Sequence, residues 1–219
     1  MATRVLLFNA SGSGSTPRWA VTDPRSENFE NDERFDPAWA EADDHALIQE
    51  CRAGKVAAFD VLVGRHQRNV YQLCYRFAGN HEDASDLAQD VFIRAYRALH
   101  GFKGQSAVGT WLYRIAVNLC LNRVSVKVPV IEPLQAREHA DMRAESADST
   151  LMRSERAAEI RSAIARLPRK QRAAVVLRVY HDLPHEQIAR ILGSSVGAVK
   201  ANFFHALGNL RRLLQDFDR

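Results

Sequence analysis

The strongest constraint on the fold is the run Pro184-His-Glu-Gln-Ile-Ala-Arg-Ile-Leu-Gly-Ser-Ser-Val-Gly-Ala-Val-Lys200. Two short helices that cross tightly need a small residue at the crossing, and Ala189 supplies it. The turn between them needs a residue that tolerates positive φ, and Gly193 supplies that. An apolar residue must then pack back into the crossing, and Val199 does so. Ile188, Ile191 and Leu192 give the first helix its buried side, and Ser194 or Ser195 can cap the second. This is the spacing of a helix-turn-helix.

Such a motif lays its second helix in the major groove of DNA, with its N-terminal residues at the base edges. Ser194, Ser195, Val196, Gly197, Lys200, Ala201 and Asn202 are the candidate contacts. Lys200 can reach a base acceptor or a phosphate. Beyond Lys200 the text is Ala-Asn-Phe-Phe-His-Ala-Leu207, poor in cations. Two adjacent aromatics cannot both face DNA, so Phe203 and Phe204 divide between core and surface.

Charge supports a polyanionic partner. The formal net charge of +4 conceals an asymmetry. Residues 1–50 carry four cations against ten acids, and residues 51–123 carry ten against five. Residues 124–150 carry three against five, and residues 151–219 carry thirteen against six. Two basic blocks flank an acidic spacer, as two surfaces meeting nucleic acid require. The three cysteines, Cys51, Cys74 and Cys120, form no CxxC pair and no Cys/His ligand set, so neither zinc nor any other cofactor is expected. Cys74 and Cys120 fall in apolar helical patterns and read as buried free thiols, which suits a reducing cytoplasm. Val5-Leu-Leu-Phe8 is too short for a signal peptide core or a membrane span.

Hydrophobic period divides the chain into four parts. Residues 1–42 read as a disordered acidic extension. Its tract Ser11-Gly-Ser-Gly-Ser-Thr-Pro17 lacks the Gly-Lys-Ser/Thr ending of a phosphate loop. Residues 43–124 read as a helical bundle, residues 125–150 as a linker broken by Pro129 and Pro133, and residues 151–219 as a second bundle holding the helix-turn-helix. The fold class is therefore all-α, two small bundles joined by a flexible linker. In the second bundle, helices are expected over Leu151–Leu167, Arg169–Tyr180, His185–Leu192 and Ser195–Gln215. His181 and His185 flank Pro184 and read as exposed or capping residues.

Within the first bundle, Leu87, Ala88, Val91, Phe92, Ala95, Tyr96 and Leu99 form one helical stripe. It follows the acidic stretch Glu82–Asp86, whose charge favours a helix N-terminus. After a loop over 101–109, Thr110 is expected to cap the next helix, which runs to about Arg123. At about 100° per residue from Trp111, Arg114, Asn118 and Asn122 fall near 300°, 340° and 20°. Leu112, Ile115, Ala116 and Leu119 occupy the other side. One face is thus apolar, while the other carries a ring, a cation and two amides. Phe102, Lys103, Gln105 and Ser106 precede that face in the loop. Rings stack on unpaired bases and amides read their edges, so the surface suits single-stranded nucleic acid.

The stretch Asp86-Leu-Ala-Gln-Asp-Val-Phe-Ile-Arg-Ala-Tyr-Arg-Ala-Leu99, followed by Phe102-Lys-Gly-Gln-Ser-Ala-Val-Gly-Thr-Trp-Leu-Tyr-Arg-Ile-Ala-Val-Asn118, closely resembles region two of extracytoplasmic-function (ECF) sigma factors. Leu167-Pro-Arg-Lys-Gln-Arg-Ala-Ala-Val-Val-Leu177, with the helix-turn-helix after it, resembles their region four. The resemblance implies that the first bundle binds the β′ clamp helices of RNA polymerase through Asp86, Gln89, Asp90, Phe92 and Arg94. It implies that the same bundle recognises the −10 element and traps a flipped base near the 102–110 loop. The second bundle would read the −35 element and touch the β flap. An anti-sigma factor is a usual partner. Polymerase performs the chemistry, and this chain would have no reaction of its own.

Two other classes remain to be weighed. A stand-alone helix-turn-helix regulator would dimerise on two half-sites, but has no need of the aromatic, basic helix. A nucleic-acid hydrolase would need clustered carboxylates or a metal. Asp83, Asp86 and Asp90 share one helical face, yet no carboxylate or histidine from another segment joins them, and an acidic docking surface accounts for them.

Overall fold

The computed structural model describes residues 36–124 and 147–215. Every regular element among them is helical. The glycine–serine tract and most of the acidic linker lie outside the described residues.

Four helices form the first bundle: α1 (Asp44–Arg52), α2 (Ala57–Ala78), α3 (His81–Ala98) and α4 (Val108–Val124). Side-chain caps start two of them, α1 and α3. The Asp43 carboxylate accepts from Ala46 N at 2.7 Å, and Asn80 Oδ1 accepts from Asp83 N at 2.8 Å. Gly79 closes α2 at φ 84°, where a side chain would be strained. Leu47, Leu62, Leu73, Phe77, Leu87 and Leu112 are fully buried between the four helices.

The expected disordered extension ends earlier than residue 42. Pro37–Ala40 forms a short 3-10 turn and buries Trp39 against the bundle. Arg65 of α2 holds it there, donating to the carbonyls of Trp39, Ala40 and Ala42 and to the Asp44 carboxylate. A ring that size buries enough apolar area to outweigh the acidic composition around it. Helix α4 likewise starts two residues before Thr110. That residue is buried inside the helix rather than capping it.

The second bundle comprises α5 (Ala147–Ala165), α6 (Arg169–Val175), α7 (His185–Leu192) and α8 (Val196–Gln215). The expected helix over Arg169–Tyr180 divides: after α6 the chain widens into a π-helical turn, Val176–Tyr180. Between α7 and α8, Ala189 and Val199 are buried at the crossing. Gly193 takes φ 57°, and Ser195 Oγ accepts from Ala198 N at 3.1 Å.

The two bundles pack against each other along a seam between α4 and α7, with α2 meeting the turn after α6. Polar bridges between described residues cross it. Gln187 Nε2 donates to Thr110 Oγ1 at 3.0 Å, and Arg169 donates to the Asn122 side chain at 2.9 Å. The Tyr113 hydroxyl and His181 Nδ1 share a hydrogen bond of 3.1 Å. Arg172 reaches from α6 to the Phe77 carbonyl at the end of α2. His181 is therefore a seam residue, not the exposed or capping one expected from its place beside Pro184. The turn after α6 folds it back onto α4.

Burial, with Arg76's charge, pushes the His181 imidazole down to about 4, against a partial pull upward from Asp182. Its Nε2 is buried without a hydrogen-bond partner, so a second proton there would go unsatisfied. The unfolded chain binds that proton below about 6.5, while the folded chain refuses it until about 4. Stability is thus complete above pH 6.5 and declines as pH falls through that window. Chemical unfolding between pH 7 and pH 4.5 should show a slope approaching about 1.4 kcal/mol per pH unit from this site. His181→Phe should flatten the slope by that amount. An unchanged slope would remove His181 from the linkage.

Candidate nucleic-acid and partner interface

Helix α4 has two faces, as its sequence requires. Leu112, Ala116, Val117, Leu119 and Cys120 are buried, whereas Arg114, Asn118 and Asn122 are exposed. Trp111 stands between them. It is partly buried, and its ring lies 4.8 Å from that of Phe102. Phe102 itself is 6% exposed, which corrects the expectation that it projects from the loop. Instead it backs Trp111 from within, with His45 of α1 on its other side at 5.6 Å.

The loop over 102–107 is held in shape from below. Arg52, at the end of α1, donates to the carbonyls of Leu99, His100 and Phe102. These acceptors lie where the chain leaves a short 3-10 turn, Leu99–Gly101, whose Leu99 carbonyl also accepts from Phe102 N at 3.2 Å. Gly104 takes φ 70°, and His45 lies 3.6 Å from where its Cβ would stand. Lys103 and Gln105 are exposed beyond that support, and Ser106 is partly so. Sequence reasoning missed Arg52 and His45, because α1 is distant in the chain and carries no motif. A neighbouring network ties α1 to α2: His66 Nε2 and Asp44 Oδ2 are 2.6 Å apart. The His66 hydrogen bond, its charge and the Arg65 guanidinium outweigh burial and hold the Asp44 carboxyl below its ordinary value.

On α3, Asp86 and Arg94 are exposed, and Gln89 and Asp90 are half-buried. Phe92 is 7% exposed and belongs to the core, so it can shape this surface but cannot present its ring to a partner. The helical stripe that includes Leu87, Ala88 and Val91 puts it there. Arg123 of α4 lies 3.6 Å from Asp83 and 3.4 Å from Asp86. These pairs are exposed and worth little energetically. They set the acidic face of α3 beside the polar face of α4.

On α8 and in the turn before it, Ser195, Gly197, Lys200 and Ala201 are exposed, with Ser194 and Val196 half-buried. The Asn202 amide is spent on its own helix, donating to Ala198 O at 2.8 Å. Phe203 packs on the core near His185, while Phe204 is 74% exposed. The eight residues expected to meet the −10 element lie in the 102–107 loop and along α4, with Phe102 buried beneath the rest and Asn122 already engaged by the seam. The α3 set lies next to them. The α8 set forms a separate surface.

Cys74 and Cys120 are buried free thiols, and contact between the two sulfurs, with burial, pushes the Cys74 thiol well up. No described helix is long and apolar enough to cross a membrane.

Comparison with known proteins finds relatives of both bundles. Residues 62–127 match the Sigma-70 region 2 family, and residues 157–210 match Sigma-70, region 4. Over 181 residues the chain is 34% identical to the RNA polymerase sigma-H factor of Pseudomonas aeruginosa, covering 78% of this chain and 94% of that protein. It is 37% identical over 172 residues to the ECF RNA polymerase sigma-E factor of Escherichia coli (strain K12), covering 74% and 90% respectively. Its fold is similar to that of CnrH in complex with the cytosolic domain of CnrY, with a TM-score of 0.56 and 26% identity, covering 79% of this chain and 97% of that one. The chain belongs to the extracytoplasmic-function (ECF) branch of the sigma-70 family of RNA polymerase sigma factors.

Proposed function

We propose that this chain is a cytoplasmic initiation factor that brings RNA polymerase to particular promoters and helps to open the DNA there. One observation carries the reading. A region-two and a region-four unit occur in order in one chain, and the first exposes Arg114 and Asn118 beside a half-buried Trp111 backed by Phe102. That surface offers a rigid stacking plate and hydrogen-bonding groups, which is what an unpaired base needs. A stand-alone regulator is not favoured, since it leaves the first bundle without a use.

In this reading Lys103, Gln105, Ser106, Trp111, Arg114, Asn118 and Asn122 meet the non-template strand of the −10 element, with Phe102 as their support. Asp86, Gln89, Asp90 and Arg94 meet the β′ clamp. The α8 residues from Ser194 to Asn202 meet the −35 duplex, and the same bundle touches the β flap. Thr110 and Asn122 are engaged by Gln187 and Arg169 across the seam. Full use of the α4 face therefore requires the bundles to part, and an anti-sigma factor is the partner that would keep them together. The chemistry of RNA synthesis stays with polymerase.

Reconstitution with core polymerase and run-off transcription across genomic fragments tests the whole reading. Discrete promoter-dependent transcripts are expected, and a dimer that ignores polymerase would sink it. The double variant Asp86→Lys, Asp90→Lys should bind core polymerase at least tenfold more weakly while its circular dichroism is unchanged. Unaltered affinity would remove the α3 acids from docking. Lys200→Glu should lower occupancy of a promoter with an intact −35 element by roughly tenfold, as a lost base or phosphate contact does. It should have much less effect where that element is scrambled. Equal losses on the two templates would exclude Lys200 from sequence reading.

A further inference from the structure

Three arginines from three helices converge on one recess at the seam. Arg76 comes from α2, Arg161 from α5 and Arg172 from α6. Tyr180 and Ile164 complete its wall, and none of the residues lining it is acidic. Arg76 lies over the Tyr180 ring, 4.2 Å from its centre, which leaves the edge of its guanidinium available. Arg172 is 4% exposed, and burial pushes it down to about 10. Its Nε, like that of Arg161, is sealed from solvent without a hydrogen-bond partner. Among the described residues, no ion pair reaches any of the three.

Like charges gathered in a low-dielectric recess repel one another, and unpaired buried donors are costly. The Phe77 carbonyl satisfies one end of Arg172 but neutralises nothing. What this arrangement lacks is negative charge with several acceptor atoms. Guanidinium forks match the oxygens of phosphate or carboxylate in pairs, which a spherical halide cannot do. The recess is small, about 20 Å³, so it admits the oxygens of a single anionic group and excludes a nucleotide ring.

We propose that this recess is a binding site for a small oxyanion, with inorganic phosphate its simplest ligand, and that the bound anion clamps the two bundles together. Arg76 belongs to the first bundle, and Arg161 and Arg172 to the second. An anion shared among them adds an attraction that exists only while the seam is closed. The same closure holds Thr110, Tyr113 and Asn122 of α4 in bridges to the second bundle. Occupancy of the recess would thus be coupled to how much of the α4 face is free. The source of the oxyanion is either the free ion or a carboxylate of the acidic segment 132–148, and we assign it to the free ion.

The test is titration of the full-length chain with sodium phosphate against sodium chloride at constant ionic strength and pH. Thermal unfolding and hydrogen exchange of α4 and α7 amides are followed together. Phosphate should raise the midpoint saturably, by roughly 3–6 °C at ten times its Kd, and should slow exchange along the seam. Arg161→Gln and Arg76→Gln should each abolish most of the phosphate-specific shift. Arg172→Gln risks unfolding the chain, so it is not the deciding variant. Equal shifts in phosphate and chloride would overturn the proposal, as would an undiminished response in Arg161→Gln. A shift without added seam protection would overturn the clamp. A chain with Glu132, Glu138, Asp141, Glu145 and Asp148 changed to their amides separates the sources. If only that chain responds to phosphate, the acidic segment is the ligand and the free-ion assignment falls.

Discussion

Arg172 is the residue on which the arrangement of the two bundles turns. It stands beside Ala173, Ala174, Val175, Val176 and Leu177, the most completely buried run of the second bundle, yet it carries a charge. Its side chain leaves its own bundle and ends on the carbonyl and ring of Phe77 in the other. Removing such a group from water costs on the order of several kcal/mol, and one neutral acceptor returns only part of that. Parting the bundles gives the guanidinium back its hydration. The seam is therefore a contact with a built-in opposing force, unlike the largely apolar cores on either side of it. A neutral hydrogen bond contributes only about 1 kcal/mol net, so the other polar bridges do not lock the seam by themselves. Contact of this kind closes and opens within the range that a ligand or partner can command.

Helix α4 connects this balance to function. Its apolar side is committed to the first bundle. Its polar side serves both the seam and, on the proposed reading, the promoter. The two uses overlap at Asn122, while Thr110 and Tyr113 serve the seam beside it and Arg114 and Asn118 stay exposed. What remains constant between them is the support beneath the loop. Arg52 ties down three carbonyls, and Phe102 sits between His45 and Trp111. A stacking surface held this way loses little entropy when a base arrives, which is the advantage of preorganisation.

The parts of the fold that were legible in sequence are those set by short-range rules. Ala189, Gly193 and Val199 specify the helix-turn-helix because a tight crossing and a left-handed turn each admit few residue types. The two faces of α4 follow from its period alone. Period puts Phe92 on the apolar stripe, and only the family resemblance makes it a contact; Phe102 stands in a loop, where no period tells how deep it lies, and both are buried. Thr110 read as a cap because hydroxyls favour that position, whereas here a partner from residue 187 satisfies it inside the helix. Trp39 was hidden by the polar sequence around it. The seam, with His181 and Arg172, was not legible, because its two sides come from segments with separate patterns and nothing local encodes their meeting.

The α8 surface raises a question of affinity that the architecture answers. Between Lys200 and Arg211 the exposed residues include Ala201, Phe204 and Leu207 but no lysine or arginine, and Asn202 is turned onto its own backbone. Few phosphate contacts mean weak binding to duplex and a shallow dependence on salt. Such a reader would fail as an independent protein. On the proposed reading it is joined to a second bundle that docks elsewhere on the same assembly, and it works at the effective concentration set by the tether, where a weak contact suffices. A linker between two separable bundles is then part of how the chain binds DNA. A contact that holds those bundles together engages Asn122 and fixes the spacing between the two surfaces, so the modest forces at Arg172 act on the whole of recognition rather than on one half of it.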